Sequence, residues 1–306
     1  MTSSTNLIPA PGISYKKGNY AVYLKPNGTK VRFGLEETLV PDRPECIDIC
    51  ISKKCDNGCK YCYEGCTEEG LEADLNDPIL DSIPEFTEIA INLNSSVPEG
   101  MDSFLERMYA QKVVVNVTVN AKNVRYFAKS LKDWQTRHLI YGIGVSVNSD
   151  MDLLRIASVQ NEFKFENLVY HVINGIISSN SLRQTSFLDD AEHVAILILG
   201  FKETGRGSQY KKENHEEMER NYFTWEGIQE LGKKYKAICF DNLALEQLSI
   251  PYENDPRYMG DDGEYTFAID LVDRKFAVNS RQPAKNWHDA KGMTVTQMFR
   301  SVRRKV

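Results

Sequence analysis

The chain has 306 residues, of which 42% are hydrophobic and 26% are charged, a balance that excludes a disordered chain and a bundle of membrane helices. Its 37 basic and 43 acidic residues give a formal net charge of −6, which disfavours broad binding to nucleic acid. No apolar run approaches the roughly 20 residues that span a bilayer, and the first residues show no secretory signal, so no membrane association is expected.

Residues 1–44 are predicted to contain a β-hairpin that leads into the main body. Tyr20, Val22 and Leu24 alternate with other residues, as in a strand with one buried face. The stretch 25–29 carries the proline, asparagine and glycine of a tight turn, so a second strand should follow it and pair with the first.

Residues 45–249 alternate β-rich runs with helical periodicity, which is typical of a parallel sheet with helices outside it. The predicted strands are 46–52, 89–93, 113–119, 139–147, 168–173, 194–199 and 237–240. The predicted helices are 77–86 with Asp77 as N-cap, 102–109 with Asp102 as N-cap, 124–134 and 225–235. Ligands of such sheets meet the carboxyl ends of the strands, so the functional residues are expected in the loops that follow the strands.

Two further segments have a different character. Residues 202–221 are polar and charged, which favours a mobile loop or lid, with a disordered insertion as the alternative. Residues 250–306 are predicted to form a C-terminal extension, a hairpin of 265–271 and 275–278 followed by a helix that opens with a capping box. The capping residues are Thr294 and Gln297, and the helix would bury an apolar stripe of Val295, Met298, Phe299 and Val302 against the body.

Six of the seven cysteines lie between residues 46 and 66. Such clustering favours a metal site in a reducing compartment, and thus a cytoplasmic location, over a disulfide framework. Cys55, Cys59 and Cys62 follow the first strand of the body with the spacing C-x3-C-x2-C. Three thiolates on one short loop can hold three corners of a [4Fe–4S] cluster and leave the fourth iron open to another ligand. The alternative is a zinc or electron-transfer site with Cys66 as fourth ligand, although zinc loops usually carry two separate C-x2-C pairs.

This cysteine loop resembles the signature of the radical S-adenosylmethionine (SAM) superfamily. The residue before the third cysteine is usually aromatic there and is Tyr61 in this chain, which implies a cofactor-binding role for it. The resemblance implies a partial (β/α)6 TIM-type barrel over residues 45–249, a [4Fe–4S] cluster and SAM as cofactors, and an external flavodoxin- or ferredoxin-like electron donor. It further implies that SAM is cleaved reductively to a 5′-deoxyadenosyl radical that abstracts a hydrogen atom from the substrate.

The resemblance also implies SAM contacts at the ends of later strands. Asn94 and Ser95 occupy the place of a family Gly-Gly-Glu segment, without its glycines or its acid, and an ordinary polar loop is the alternative. Ser146 and Asn148 end the fourth strand on one face and are similar to a family Ser-Leu-Asp, with strand-end capping as the alternative.

Two cations and the C-terminal extension complete the resemblance. Lys202 and Arg206 lie in a Lys-x-x-Gly-Arg-Gly stretch similar to one in some peptide-modifying members, where they would neutralise the SAM carboxylate or hold an acidic substrate. Solvated cations beside a turn are the alternative. The extension resembles a SPASM or twitch domain, but it contains no cysteine, so no auxiliary cluster is expected.

The remaining cysteines and histidines carry weaker signals. Cys46 and Cys50 share one strand face and are expected to line the interior as small hydrophobes, while Cys66 remains open between a ligand and a free thiol. The five histidines show no metal spacing. His171 lies on the fifth strand and is expected to be a satisfied core or surface residue, with a position facing the cleft as the alternative.

Three functions are consistent with these residues. The first is a radical SAM enzyme that modifies a peptide or protein. The second keeps the same chemistry but acts on a small molecule or nucleoside. The third is a non-catalytic iron–sulfur or zinc-binding protein.

Overall fold

Three short strands near the start of the chain form an antiparallel sheet of their own. The computed structural model describes residues 14–24, 30–186, 191–248 and 263–303. Tyr20 and Val22 are buried in this small sheet, as their alternation predicts, whereas the predicted turn at 25–29 lies outside the described residues. The strands pair in the order β1 (Ser14–Lys17), β2 (Tyr20–Leu24) and β3 (Lys30–Gly34).

The later strands form one ten-stranded sheet, with helices between them. Within the described ranges, no helix has both the length and the apolar character needed to cross a bilayer. In chain order the elements are β4 (Cys46–Cys50), β5 (Glu88–Leu93), α1 (Met101–Ala110), β6 (Val114–Asn120), α2 (Val124–Thr136), β7 (Gly142–Val147), α3 (Asp150–Phe163), β8 (Leu168–Ile173), α4 (Ser179–Thr185), β9 (Ala195–Leu199), α5 (Gly207–Asn221), α6 (Trp225–Gly232), β10 (Ala237–Phe240), α7 (Asn242–Gln247), β11 (Thr266–Asp270), β12 (Lys275–Ala277), β13 (His288–Asp289) and α8 (Val295–Val302).

The large sheet is parallel over most of its width. Its strands are ordered β10-β9-β8-β7-β6-β5-β4-β11-β12-β13. All pairs from β10 to β11 are parallel, and β12 and β13 add an antiparallel edge. The chain is therefore a mixed α/β protein built on a parallel sheet, which confirms the coarse prediction from strand–helix alternation.

One face of this sheet forms the core beneath the helices. Ile49, Ile91, Val117 and Ile143 lie beside one another on adjacent strands and are at most 2% exposed. Side chains alternate between the two faces of a strand, so the residues between these core positions point the other way. That opposite surface of β4 to β10, partly exposed at most positions, is called the inner face below.

The C-terminal extension shares the sheet of the body. Strand β11 pairs in parallel with β4, and helix α8 begins at the predicted capping box. Val295, Met298 and Phe299 are buried as expected, and Val302 is partly buried. Beyond β12, Arg281 forms an ion pair of 2.6 Å with Glu246 of α7, so side chains bridge the two ends of the sheet.

Residues 77–86 do not form the predicted helix. Only Leu80–Ser82 makes a short 3-10 turn. The Asp77 carboxylate accepts a hydrogen bond of 2.9 Å from the backbone N–H of Ile79, which closes a local turn instead of capping a helix. Ile83 is extended because the following residue, Pro84, disfavours helical backbone before it.

The prediction that Asp102 caps the next helix is also wrong. Helix α1 begins after Gly100, which has the left-handed φ of 76°. The Asp102 carboxylate instead accepts a hydrogen bond of 2.8 Å from the indole N–H of Trp134 on α2. It therefore ties two neighbouring helices together.

The predicted mobile loop at 202–221 is largely helix α5. Its Tyr210 packs against the rings of Phe201 and Tyr61, and Met218 is buried. These few buried contacts stabilise a helix whose other residues are mostly polar, which is why its periodicity is weak. Helices α3, α4 and α7 were likewise not predicted from the sequence.

Candidate metal and cofactor site

Backbone hydrogen bonds close the base of the cysteine loop directly after β4. The backbone N–H of Cys55 donates to the carbonyl of Thr67 at 2.7 Å, and that of Lys53 donates to Leu71 at 2.8 Å. Ala73 completes this ladder with a bond of 2.9 Å to Ile51. Residues 67–73 thus pair with residues 51–55, and residues 55–66 form a loop that is closed at its base.

The three signature cysteines are all partly exposed on this loop. Side-chain amides donate to two of their sulfurs, Asn57 to Cys55 at 3.3 Å and Asn120 to Cys59 at 3.8 Å. A hydrogen bond from the Cys66 thiol is the largest cause that holds the pKa of Cys62 below its usual range. Burial instead raises the pKa of Cys59, so it is at Cys62 that the surroundings favour the thiolate, the form that binds metal.

The donor set fits an iron–sulfur cluster in its chemistry. Three partly exposed sulfurs share one loop, and each has a hydrogen-bond donor beside it. Across the part of the chain that the structure describes, however, no three His, Cys, Asp or Glu side chains converge as a metal-binding group. Ligation by Cys55, Cys59 and Cys62 therefore requires their side chains to turn toward a common point.

Arg206 holds the cysteine loop in place. Its guanidinium donates to the carbonyls of Cys59 and Cys66, both at 3.0 Å, and its backbone N–H donates to the carbonyl of Cys62 at 2.9 Å. A side chain on Gly205 would come within 2.5 Å of the carbonyls of Cys62 and Tyr63, so only glycine allows this close approach. In this structure the Arg206 guanidinium thus bonds to backbone carbonyls of the loop, whereas the sequence predicted a SAM carboxylate or an acidic substrate as its partner.

Lys202 also has protein partners. Its ammonium group lies 3.9 Å from the centre of the Tyr63 ring and donates to the Ser280 hydroxyl at 2.8 Å. Ser280 in turn donates to the carboxylate of Asp48 on β4 at 3.3 Å. These contacts link the end of β9 to the C-terminal extension.

Tyr61 anchors the loop through its ring. The ring centre lies 5.2 Å from that of Tyr210 and 6.5 Å from that of Phe201. Burial raises the pKa of the Tyr61 phenol, so it stays neutral. The aromatic residue of the motif therefore joins the loop to the end of β9 and to α5.

Asn94 and Ser95 contact the base of the loop. The Asn94 side chain donates to the carbonyls of Ser52 at 2.7 Å and Lys54 at 3.1 Å. Ser95 accepts a hydrogen bond of 3.2 Å from the backbone N–H of Asp56. Both residues predicted to bind SAM thus support the cysteine loop in this structure.

Ser146 and Asn148 keep their side-chain polar groups open. The backbone N–H of Asn148 donates to the Asp152 carboxylate at 3.0 Å. Neither the Ser146 hydroxyl nor the Asn148 side-chain amide has a hydrogen-bond partner among the described residues. Both side chains are therefore free to meet a ligand.

Sequence reasoning missed the asparagines that support the loop. Asn123 donates to the side-chain oxygen of Asn57 and to the carbonyl of Asn94, both at 2.9 Å. A signal was present, because Asn94, Asn120 and Asn148 each end or directly follow consecutive strands β5, β6 and β7. Amide groups repeated at strand ends point to one edge of a parallel sheet.

The remaining cysteines differ in their burial. Cys46 and Cys50 share the inner face of β4, and burial raises the pKa of both thiols. Cys66 is buried, and Cys239 on β10 is exposed. Neutral, partly covered thiols on β4 agree with the prediction that Cys46 and Cys50 behave as small hydrophobes.

Comparisons with known proteins do not identify a family. No protein-family model matches the chain, and no curated protein is significantly similar to it. Two solved structures from Pyrococcus furiosus align with 70% of this chain and 93% of theirs. They are a mutant tryptophan synthase α-subunit, with 9% identity and a TM-score of 0.31, and a tryptophan synthase complex, with 10% identity and a TM-score of 0.30. Likeness at this level carries no argument about function.

Proposed function

We propose that the chain is a radical SAM enzyme that modifies a peptide or protein. The observation that carries this proposal is the C-x3-C-x2-C loop directly after strand β4. Backbone hydrogen bonds close its base, and residues at the ends of other parallel strands donate hydrogen bonds to it. That position is where parallel α/β sheets bind ligands.

The finer fold belongs to the same proposal. Strands β4 to β9 with their helices would form a partial (β/α)6 TIM-type barrel. Its support is the side-chain bridging of the two ends of the sheet, Arg281 to Glu246 and Lys202 to Ser280. Such a sheet would enclose its inner face although its two edge strands, β10 and β13, are not hydrogen-bonded to each other.

Cys55, Cys59 and Cys62 would hold a [4Fe–4S] cluster, and SAM would bind beside it. Together these groups would supply the one-electron cleavage of SAM that leads to hydrogen-atom abstraction, with an external flavodoxin- or ferredoxin-like donor as the electron source. The chain's own part is positional. Arg206 and Asn94 fix the loop, Asn148 offers a hydrogen bond to SAM, and Asn120 donates toward Cys59.

Anaerobic reconstitution tests the cluster. The purified protein should take up about four irons per chain, because three thiolates with one open iron favour a cubane cluster. A triple Cys→Ala variant at 55, 59 and 62 should lose that iron and its absorbance. Cys239→Ala is the matched control, since this thiol is exposed on β10, away from the loop. Full iron retention by the triple variant, or colourless protein with tightly held zinc, would refute the assignment.

A second measurement tests the chemistry. Dithionite-reduced, reconstituted protein should release 5′-deoxyadenosine and methionine from SAM slowly, even without substrate. Methyl-transfer products without 5′-deoxyadenosine would mean that SAM is bound but that the radical mechanism is wrong.

A further inference from the structure

The inner face carries a continuous patch of polar side chains. Strand register places Asn120, Ser146 and His171 side by side on β6, β7 and β8. Thr118 lies one level lower, opposite Gly144. Strands in a sheet are about 4.8 Å apart, so His171 lies roughly 10 Å from Asn120, whose amide contacts Cys59. The patch therefore begins at the cysteine loop and extends across the sheet.

These polar groups have no hydrogen-bond partner in the part of the chain that the structure describes. Among the described residues, the side chains of Thr118, Ser146 and His171 make no hydrogen bond, and the same holds for the neighbouring amides of Asn92 and Asn116. All five are partly exposed on the inner face. Their donors and acceptors are therefore accessible to a bound molecule.

Gly144 makes room for the imidazole of His171. A side chain on Gly144 would come within 2.6 Å of His171 Nε2 and 3.0 Å of Thr118 Oγ1. The ring thus lies over the glycine, toward Thr118. Burial lowers the pKa of His171 to about 4, so the ring is neutral at physiological pH and offers one donor and one acceptor. This corrects the expectation of a satisfied core or surface histidine.

The strands that carry His171, Ser146 and Thr118 are uncharged, and the nearest charged residues of the inner face are Asp48 and Glu88 on β4 and β5. Strands β6 to β9 contain no Asp, Glu, Lys or Arg. Beyond His171 the inner face continues with Leu197 on β9, which is aliphatic. A charged group would lose its hydration here without gaining an opposite charge. A neutral amide would instead find donors and acceptors on one side and apolar contact on the other.

We infer that this patch binds an uncharged amide of the substrate, as a peptide presents along its backbone, with His171, Ser146 and Thr118 as specificity-determining contacts. The inference rests on the proposed function in one respect: it takes the occupant of the inner face to be the substrate of that reaction. It also explains why a peptide is favoured over a charged small molecule.

Two tripeptide probes test the inference on the full-length protein. N-acetyl-triglycinamide carries only uncharged amides, whereas triglycine has the same backbone with two charged ends. Histidine side chains are labelled with ¹⁵N, and the His171 signal is assigned by its loss in His171→Gln. The blocked peptide should shift the His171 imidazole resonances in the wild-type protein, and triglycine should not. Equal shifts with both probes, or no shift with either, would overturn the inference.

Variants then localise the effect. Ser146→Ala should weaken binding of the blocked peptide about tenfold, as expected for the loss of one hydrogen bond in a sheltered site. His215→Gln is the control, because this histidine is exposed on α5 beside Glu219. Unchanged affinity in Ser146→Ala and in His171→Gln would likewise refute the proposed contacts.

The two proposals fail separately. Cluster formation and 5′-deoxyadenosine release without any probe binding would leave the radical SAM proposal intact and refute the amide site. Probe binding in a chain that takes up no iron would refute the radical SAM proposal and leave the amide site in place.

Discussion

Arg206 shows how much one side chain contributes to the candidate site. Its guanidinium bonds to two carbonyls that flank Cys62 on either side. Arg206→Ala should lower the free energy of unfolding by about 1–3 kcal/mol, because two partly buried carbonyls lose their donors, and should reduce iron uptake. Urea denaturation and iron analysis check this. Arg220→Ala, on the exposed part of α5, is the matched control, and equal iron uptake by both variants would contradict the role given to Arg206.

Lys17 makes stability depend on pH. It is fully buried, and its ammonium donates to the carbonyl of Pro44 at 2.8 Å and to the Thr87 hydroxyl at 3.2 Å. Burial lowers its pKa from 10.5 to about 7. Between these pH values the unfolded chain holds a proton that the folded chain has released, so stability from this group rises with pH.

The size of that rise is limited by one proton. The free energy of unfolding should increase by at most about 1.4 kcal/mol per pH unit above pH 7. Lys17→Met should remove this part of the slope, and Lys16→Met, at the exposed neighbouring position, should leave it unchanged. Denaturation series at several pH values measure the slope. Identical slopes in the wild-type protein and Lys17→Met would show that Lys17 is not the titrating group.

The sequence predicts the role of a residue only where the interacting residues lie close together along the chain. The spacing of Cys55, Cys59 and Cys62 predicts a metal site on one loop, and this site stays a prediction. The roles of Arg206 and Asn94 did not follow from sequence, because their partners lie 147 and 42 residues away along the chain. A cation that bonds to distant carbonyls has the same sequence signature as a cation that faces solvent.

At the scale of elements, burial decided what could be predicted. The strands of the large sheet other than β13 were found because each carries apolar residues at regular spacing, and 168–173 matches β8 residue for residue. Helix α8 was found from its capping box and apolar stripe. Helix α5 was missed because only Gly207 and Met218 are buried along it. Periodicity reports buried faces, so a helix with almost none leaves little signal.

Helix α8 gives a stability test of the C-terminal extension. Phe299 is fully buried, and its ring centre lies 5.8 Å from that of Phe267 on β11. Phe299→Ala should cost about 3–5 kcal/mol of unfolding free energy, through lost burial and the cavity left behind. Lys291→Ala, at an exposed position just before the helix, should change it little. Thermal and urea unfolding distinguish the two, and a loss below about 1 kcal/mol would show that α8 packs loosely.

At the scale of the whole molecule, the extension and the body cannot be separated cleanly. Strand β11 is hydrogen-bonded along β4, and the backbone N–H of Leu271 donates to the carbonyl of Cys50 at 3.0 Å. Lys53, just before the cysteine loop, pairs with Asp270 at 2.6 Å. The sequence boundary at residue 250 marks a change of pattern, whereas the sheet continues across it.

The hydrogen-bonded base of the cysteine loop also bears on whether the chain must bind the proposed cluster in order to fold. Small zinc modules fold only around their ion, because nothing else closes their loops. Here backbone hydrogen bonds at Cys55, Lys53 and Ala73 close the base of the loop, and residues 53–66 contribute nothing to the core beneath the helices. Folding should therefore precede binding of the proposed cluster, and we expect the iron-free chain to keep the same scaffold.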